Sequence, residues 1–281
     1  MGGVFIGSEA LGAGLVTRHQ LRTRYRRIFP NVYGPPEPSV RDRARAAFLW
    51  SGRRGVIAGV AASALHHAKW VDDDVPIELL WRNTHPPTGL IVRNESWSAG
   101  EVMTIADVRV TTAARTIFDL GRHLPRNEAV ARIDALLTVG RITIDDVAPL
   151  LVRHPRATDI RRLTTALALV DARAESPQET RLRLALTDAG MPPDRTQIPV
   201  VDGQGRIVAR VDMGWEHLRV AVQYDGRHHQ TDRATYVRDQ KVNRALEARG
   251  WVVIRVIAED SLADVVGRVA AALYGRGWRA A

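Results

Sequence analysis

Ser176-Pro-Gln-Glu179 constrains the fold of this chain more than any other stretch. Serine three residues before glutamate forms a capping box, and proline at the first helical position gives up an amide that would have no partner, so a helix begins there. Leu182, Leu186 and Ala189 share one face of it, and Gly190 ends it. Three segments with strand character follow, at 196–201, 207–215 and 218–224, the first two joined by the hairpin signal Asp202-Gly-Gln-Gly205. Residues 236–249 return to helical periodicity and close at Gly250, residues 251–257 read as a buried strand, and 261–274 as a last helix. The predicted order is αβββαβα.

Asp212 interrupts the apolar run Ile207-Val-Ala-Arg-Val, where a structural aspartate is out of place. Side chains alternate along a strand, so Gln223 and Asp225 project together from the next one. Acidic groups on half-buried strands are costly unless compensated, and a hard divalent cation bound by oxygens would compensate them. Glu179 has two readings: it closes the cap of its own helix, or it points at Asp212 from the stripe that faces the sheet. Asp225-Gly226 is also readable as a turn that ends the strand. Of the adjacent His228 and His229, one is expected to face the site, where it could activate water or contact phosphate.

At 281 residues the chain has room for more than one module, and an α+β multidomain fold is expected. No apolar run is long enough to cross a bilayer, which excludes a membrane span. Met1-Gly-Gly-Val-Phe-Ile does not read as a secretory signal, so cytoplasmic placement is expected. With no cysteine, disulfides, thiolate zinc sites and cysteine nucleophiles are all excluded. Lys69 and Lys241 are the only lysines among 40 basic residues, so the net charge of +9 rests on arginine. Arginine suits phosphate, although a genome rich in G and C would enrich it as well.

Near the N-terminus a small-residue helix candidate at 7–14, a second basic helix at 17–27 and the segment 28–33 suggest a helix-turn-helix with a short wing. Thr17 is its N-cap, and Arg18, Arg22 and Arg26, spaced by four, would share a face that meets phosphates or base edges, with Arg24 beside them. A solvated basic face is the other reading. A middle α/β module follows, with helices at 41–50, 60–67 and 111–120 and strands at 77–81 and 90–93. His66 and His67 lack the acid and oxyanion loop that catalysis requires. Residues 153–173 read as a connecting helix. The expected domains are 1–38, 39–172 and 173–281.

Glu179, Asp212, Gln223-Tyr-Asp-Gly-Arg-His228 and Asp239 through Gly250-Trp-Val-Val-Ile-Arg255 resemble the very-short-patch-repair-like branch of the PD-(D/E)XK endonucleases, over roughly residues 174–281. Gly3-Val-Phe, Arg27-Ile-Phe-Pro-Asn-Val-Tyr33, Ala61-Ala-Ser-Ala-Leu-His66 and Thr111-Thr-Ala-Ala-Arg-Thr-Ile-Phe-Asp-Leu120 resemble AbiEi-type antitoxins and regulators. The first resemblance implies a restriction-endonuclease-like core in which Glu179, Asp212 and Gln223 gather Mg²⁺ or Mn²⁺ at a scissile phosphate. It further implies that Asp225 or His228 handles the attacking water. The second implies a winged helix-turn-helix that binds DNA. This chain departs from the nuclease pattern twice, with Gln223 where glutamate is expected and Asp225 where related enzymes carry lysine. A metal-dependent DNA endonuclease and a non-catalytic, antitoxin-like DNA-binding regulator therefore both stand. DNA is the expected partner, along with a second copy of the chain or a toxin.

Overall fold

The protein, seen in a computed structural model that describes residues 3–82, 85–226 and 233–279, is an α+β chain divided into two units, residues 1–172 and 173–281.

The first unit opens with β1 (Phe5–Ile6), α1 (Gly7–Gly12), α2 (Arg18–Thr23), β2 (Arg26–Phe29) and β3 (Val32–Gly34), the strands ordered β1-β3-β2 and antiparallel. Thr17 caps α2 in a reciprocal box with Gln20, as its position predicts. The helix is shorter than the basic run, however. It stops at Thr23, where Tyr25 turns inward to meet Phe5 edge-on at 4.9 Å, and Arg26 opens β2. The expectation that Arg26 shares a helical face with Arg18 and Arg22 is thus corrected, because hairpin pairing overrides helical periodicity there.

Next come α3 (Val40–Trp50), β4 (Val56–Ala58), α4 (Gly59–Leu65), β5 (Ile77–Leu80), β6 (Leu90–Arg93), β7 (Val102–Ile105), β8 (Val108–Thr111), α5 (Ala113–His123), α6 (Arg126–Leu137), α7 (Ala148–Arg153) and α8 (Ile160–Leu167). A five-stranded mixed sheet, β6-β5-β4-β8-β7, forms the floor. Val4, Phe29 and Val32 pack into the same core as Phe48, Leu49, Ile57 and Ile77. The boundary expected at 38/39 consequently falls inside one compact unit, since α3 is the shared wall. The single helix expected over 153–173 is broken as well: α7 ends at Arg153, and Asp159 is left-handed at the start of α8, which stops at Leu167.

The second unit runs α9 (Pro177–Asp188), β9 (Arg195–Val201), β10 (Ile207–Trp215), β11 (Val220–Tyr224), α10 (Arg233–Glu247), β12 (Val252–Val256) and α11 (Leu262–Gly275), an αβββαβα order. Its sheet is ordered β12-β11-β10-β9; β11 and β12 are parallel, joined across α10, and the other pairs are antiparallel. Val220 and Val222 face a core built with Leu182, Leu186, Val265 and Leu273, whereas Ala221 faces Ile198, Val211 and Leu246. The period of two in β11 therefore sorts its side chains as the alternation predicts. β12 is not the buried strand expected from its apolar run. It lies at the sheet edge with Val252 36% exposed; Ile254 and Val256 are buried on one face of the sheet, and Val253 is only partly buried on the other.

Candidate functional site

Asp212 feels the charges of Glu179, Glu175 and Asp225 at the point where β10 and β11 part. The two strands pair from Trp215↔Val220 to Met213↔Val222. Beyond that pair the backbone N–H of Tyr224 donates to Asp212 Oδ2 at 2.7 Å, so a side-chain oxygen takes the place of a cross-strand carbonyl. Burial pushes the Asp212 carboxyl up to about 7; the Tyr224 amide opposes the rise, and the negative charges of Glu179, Glu175 and Asp225 reinforce it. Asp212 is thus an acid whose surroundings resist its ionisation.

Glu179 closes the start of its own helix, and toward Asp212 it acts through its charge. Ser176 Oγ donates to its Oε1 at 2.9 Å, while the Glu175 N–H and Gln197 Nε2 each donate to its Oε2 at 3.0 Å. It therefore stabilises the helix start, yet its carboxyl is raised by burial even against those donors, and its charge is felt at Asp212. Gln197 reaches it from a left-handed backbone, φ 50°, at the point of β9 facing Asp212.

Gln223 places Oε1 in the interior with no hydrogen-bond donor among the described residues. A buried amide oxygen without a donor is costly, and it is the kind of atom a hard cation or its water satisfies. Asp225 is differently placed. Arg255 Nη1, from the parallel neighbour β12, holds its two oxygens at 2.8 and 2.7 Å, and Arg255 Nη2 also contacts Asn243 Oδ1 on α10. Asp225 is thereby ion-paired, which disfavours the water-handling role expected of it. Neither Arg255 nor Asn243 was legible as a site residue, because their approach depends on a parallel crossover. Glu175, whose Oε1 lies 3.7 Å from Arg210 Nη1, was missed for the opposite reason, since it looks like an ordinary residue before a helix. His228 lies outside the described residues.

Asp212, Glu179 and Gln223 offer oxygen donors with a surplus of negative charge, a set that fits a divalent cation. Among the described residues, three metal-ligating groups close to within 4.8 Å only in the first unit, at Glu95, Asp119 and His123. There the oxygens are already engaged. Arg122 Nη2 lies 2.5 Å from Glu95 Oε2 and 2.9 Å from Asp119 Oδ1, Arg115 Nε lies 3.0 Å from Asp119 Oδ1, and His123 Nε2 lies 2.9 Å from Glu95 Oε1. Against burial, which alone would raise it, His123 and Arg122 hold the Glu95 carboxyl at about 2. A metal would have to displace two guanidinium groups, so this cluster is an arginine–carboxylate network.

In the N-terminal segment Arg18, Arg22, Arg24 and Arg26 are all exposed. Arg18 and Arg22 lie on α2, Arg24 caps its end and Arg26 begins β2. None forms an ion pair with a described residue, which leaves their guanidinium groups available to an external anion.

Among known proteins, the chain is similar to two from Mycobacterium tuberculosis strains, both described only as uncharacterized. Each is 27% identical over 263 residues, covering 91% of this chain and 95% of theirs. No protein-family model and no solved structure matches it. No described helix is long and apolar enough to cross a membrane.

Proposed function

We propose that this is a DNA-binding protein whose second unit hydrolyses phosphodiester bonds with Mg²⁺ or Mn²⁺, held by Asp212, Glu179 and the Gln223 carbonyl. The observation that carries this reading is the uncompensated acidity around Asp212, beside a buried Gln223 oxygen that lacks a donor. Such a cation would polarise the scissile phosphate and stabilise the leaving oxygen. The chain's own residues do the positioning: Tyr224 N–H fixes the Asp212 carboxylate, Ser176 and Gln197 fix that of Glu179, and Arg255 keeps Asp225 neutralised at the rim. The N-terminal arginines, on a winged helix-turn-helix, would hold the duplex through its phosphates.

Gln223 and the Arg255–Asp225 pair favour a second reading, a DNA-binding regulator that keeps the nuclease fold without its chemistry. An amide replaces a ligand charge, and the acid beside it is already paired. Plasmid nicking with Mg²⁺ and Mn²⁺ separates the two. Cleavage by wild type that is lost in Asp212→Ala supports hydrolysis. DNA binding that survives Asp212→Ala, with no cleavage of any DNA form by wild type, supports the regulator.

A further inference from the structure

The arginine–carboxylate network of the first unit forms one wall of a cleft of about 510 Å³. Four arginines line it, Arg115, Arg122, Arg153 and Arg156, against a single carboxylate, Glu95. Two of the four are committed. Arg115 is buried and bonded to Asp119, Glu101, Glu95 and the Ser96 carbonyl, and Arg122 is bonded to Glu95, Asp119 and the Thr158 carbonyl. Arg122, only 2% exposed, still has an Nε with no acceptor among the described residues.

The other two have donors to spare. Arg153 uses Nη1 alone, toward Ser98 Oγ and Glu101 Oε1, each at 3.1 Å, and its side chain is half exposed. Arg156 is exposed and forms no ion pair with a described residue. His154 stands between them in sequence, its Nε2 2.9 Å from Glu101 Oε1. Guanidinium groups lining a concave surface, two of them anchored by carboxylates and backbone carbonyls, match the tetrahedral oxygens of a phosphoryl group. An adjoining cavity of about 820 Å³ shares Asn94, Glu95 and Ser96 with the cleft and is lined by Trp81 and Trp97, with the Arg54 guanidinium 6.0 Å from the Trp81 ring.

We infer that this cleft binds a small molecule bearing a phosphoryl group, which Arg153 and Arg156 grip from the rim while Arg115 and Arg122 hold the wall. The pair of tryptophans next to it suits a ligand that carries a planar ring beside the phosphate, as a nucleotide does.

The test is calorimetric titration of the full chain with pyrophosphate and, separately, with ADP, in EDTA so that no divalent cation bridges phosphate to the second unit. Saturable binding that weakens about tenfold or more in Arg156→Ala and again in Arg153→Ala, at an unchanged melting temperature, is the expected result. Tighter binding of ADP than of pyrophosphate, lost in Trp81→Ala, would identify a nucleotide, and equal binding a free phosphate compound. The inference is overturned if neither probe binds saturably, or if both arginine variants bind as wild type does. It is equally overturned if these substitutions weaken duplex DNA binding as much as they weaken pyrophosphate binding, which would make the cleft a backbone contact.

Discussion

Arg255 grips Asp225 across a parallel strand pair, its Nη1 2.8 and 2.7 Å from the two carboxylate oxygens, while its Nη2 reaches Asn243. One guanidinium therefore ties β12, the end of β11 and α10 together at the rim of the acidic fork. Both partners are partly exposed, at 31% each, so solvent screens the pair and its worth is modest. Arg255→Ala should lower the stability of the second unit by about 1 kcal/mol, and Arg255→Lys, which keeps the charge but loses the fork, should recover only part of it. Urea midpoints of the three proteins measure this directly, and equal midpoints would remove the rim tie from the account.

Asp212 gives the fold a pH dependence whose sign is set by its raised carboxyl, up to about 7 from an ordinary 3.8. Between those values the folded chain keeps a proton that the unfolded chain has released, so this residue's contribution to stability falls as pH rises through the window. Asp212→Asn removes the buried charge and keeps an acceptor for the Tyr224 amide. In EDTA it should exceed wild type by on the order of 2–4 kcal/mol at pH 8, an advantage that shrinks toward pH 5. Chemical denaturation at the two pH values would reveal a pH-independent difference if the reasoning is wrong.

Gln223→Glu adds a third carboxylate to the fork. Without metal it should lower the melting temperature, because another charge enters a site that already resists ionisation. With Mg²⁺ or Mn²⁺ the order should reverse, the variant gaining more than wild type as ligand charge rises. Thermal unfolding with and without the metals gives both numbers, and a variant indifferent to either cation would count against a metal site at the fork.

Asp119 holds Arg115 and Arg122 in the interior of the first unit. Asp119→Ala leaves both guanidinium groups short of an acceptor and should cost roughly 3–5 kcal/mol, as breaking one member of a buried ionic network does. A loss within about 0.5 kcal/mol in denaturant titrations would mean that Glu95 and Glu101 suffice alone.

Arg18→Ala and Arg22→Ala should each weaken duplex DNA binding similarly on unrelated sequences and reduce the slope of log affinity against log salt by about one. Anisotropy titrations at several salt concentrations read both effects. Unchanged slopes would return α2 to an ordinary solvated face.

The element order of residues 173–281 was legible because each signal there is local. A serine cap, a proline at the first turn and a glycine stop bracket α9, and alternation sorts Val220, Ala221 and Val222 onto opposite faces. Asp212 and Gln223 stood out for a related reason, as polar residues at positions that strand periodicity reserves for burial. Non-local features stayed hidden. Arg26 left its helical register because Tyr25 and the hairpin claimed the chain, and Arg255 met Asp225 only after a crossover through α10. The spacing of Arg115, Asp119 and Arg122 within α5 was readable as one helical face, yet nothing local tied it to Glu95 and Glu101, which arrive from outside the helix.

The fork between β10 and β11 is propped by one carboxylate oxygen standing in for a backbone carbonyl. Any side chain that presents an oxygen there can do the same propping, charged or not. An exchange of acid for amide at position 212 can therefore remove charge from the fork and leave its backbone geometry as it is.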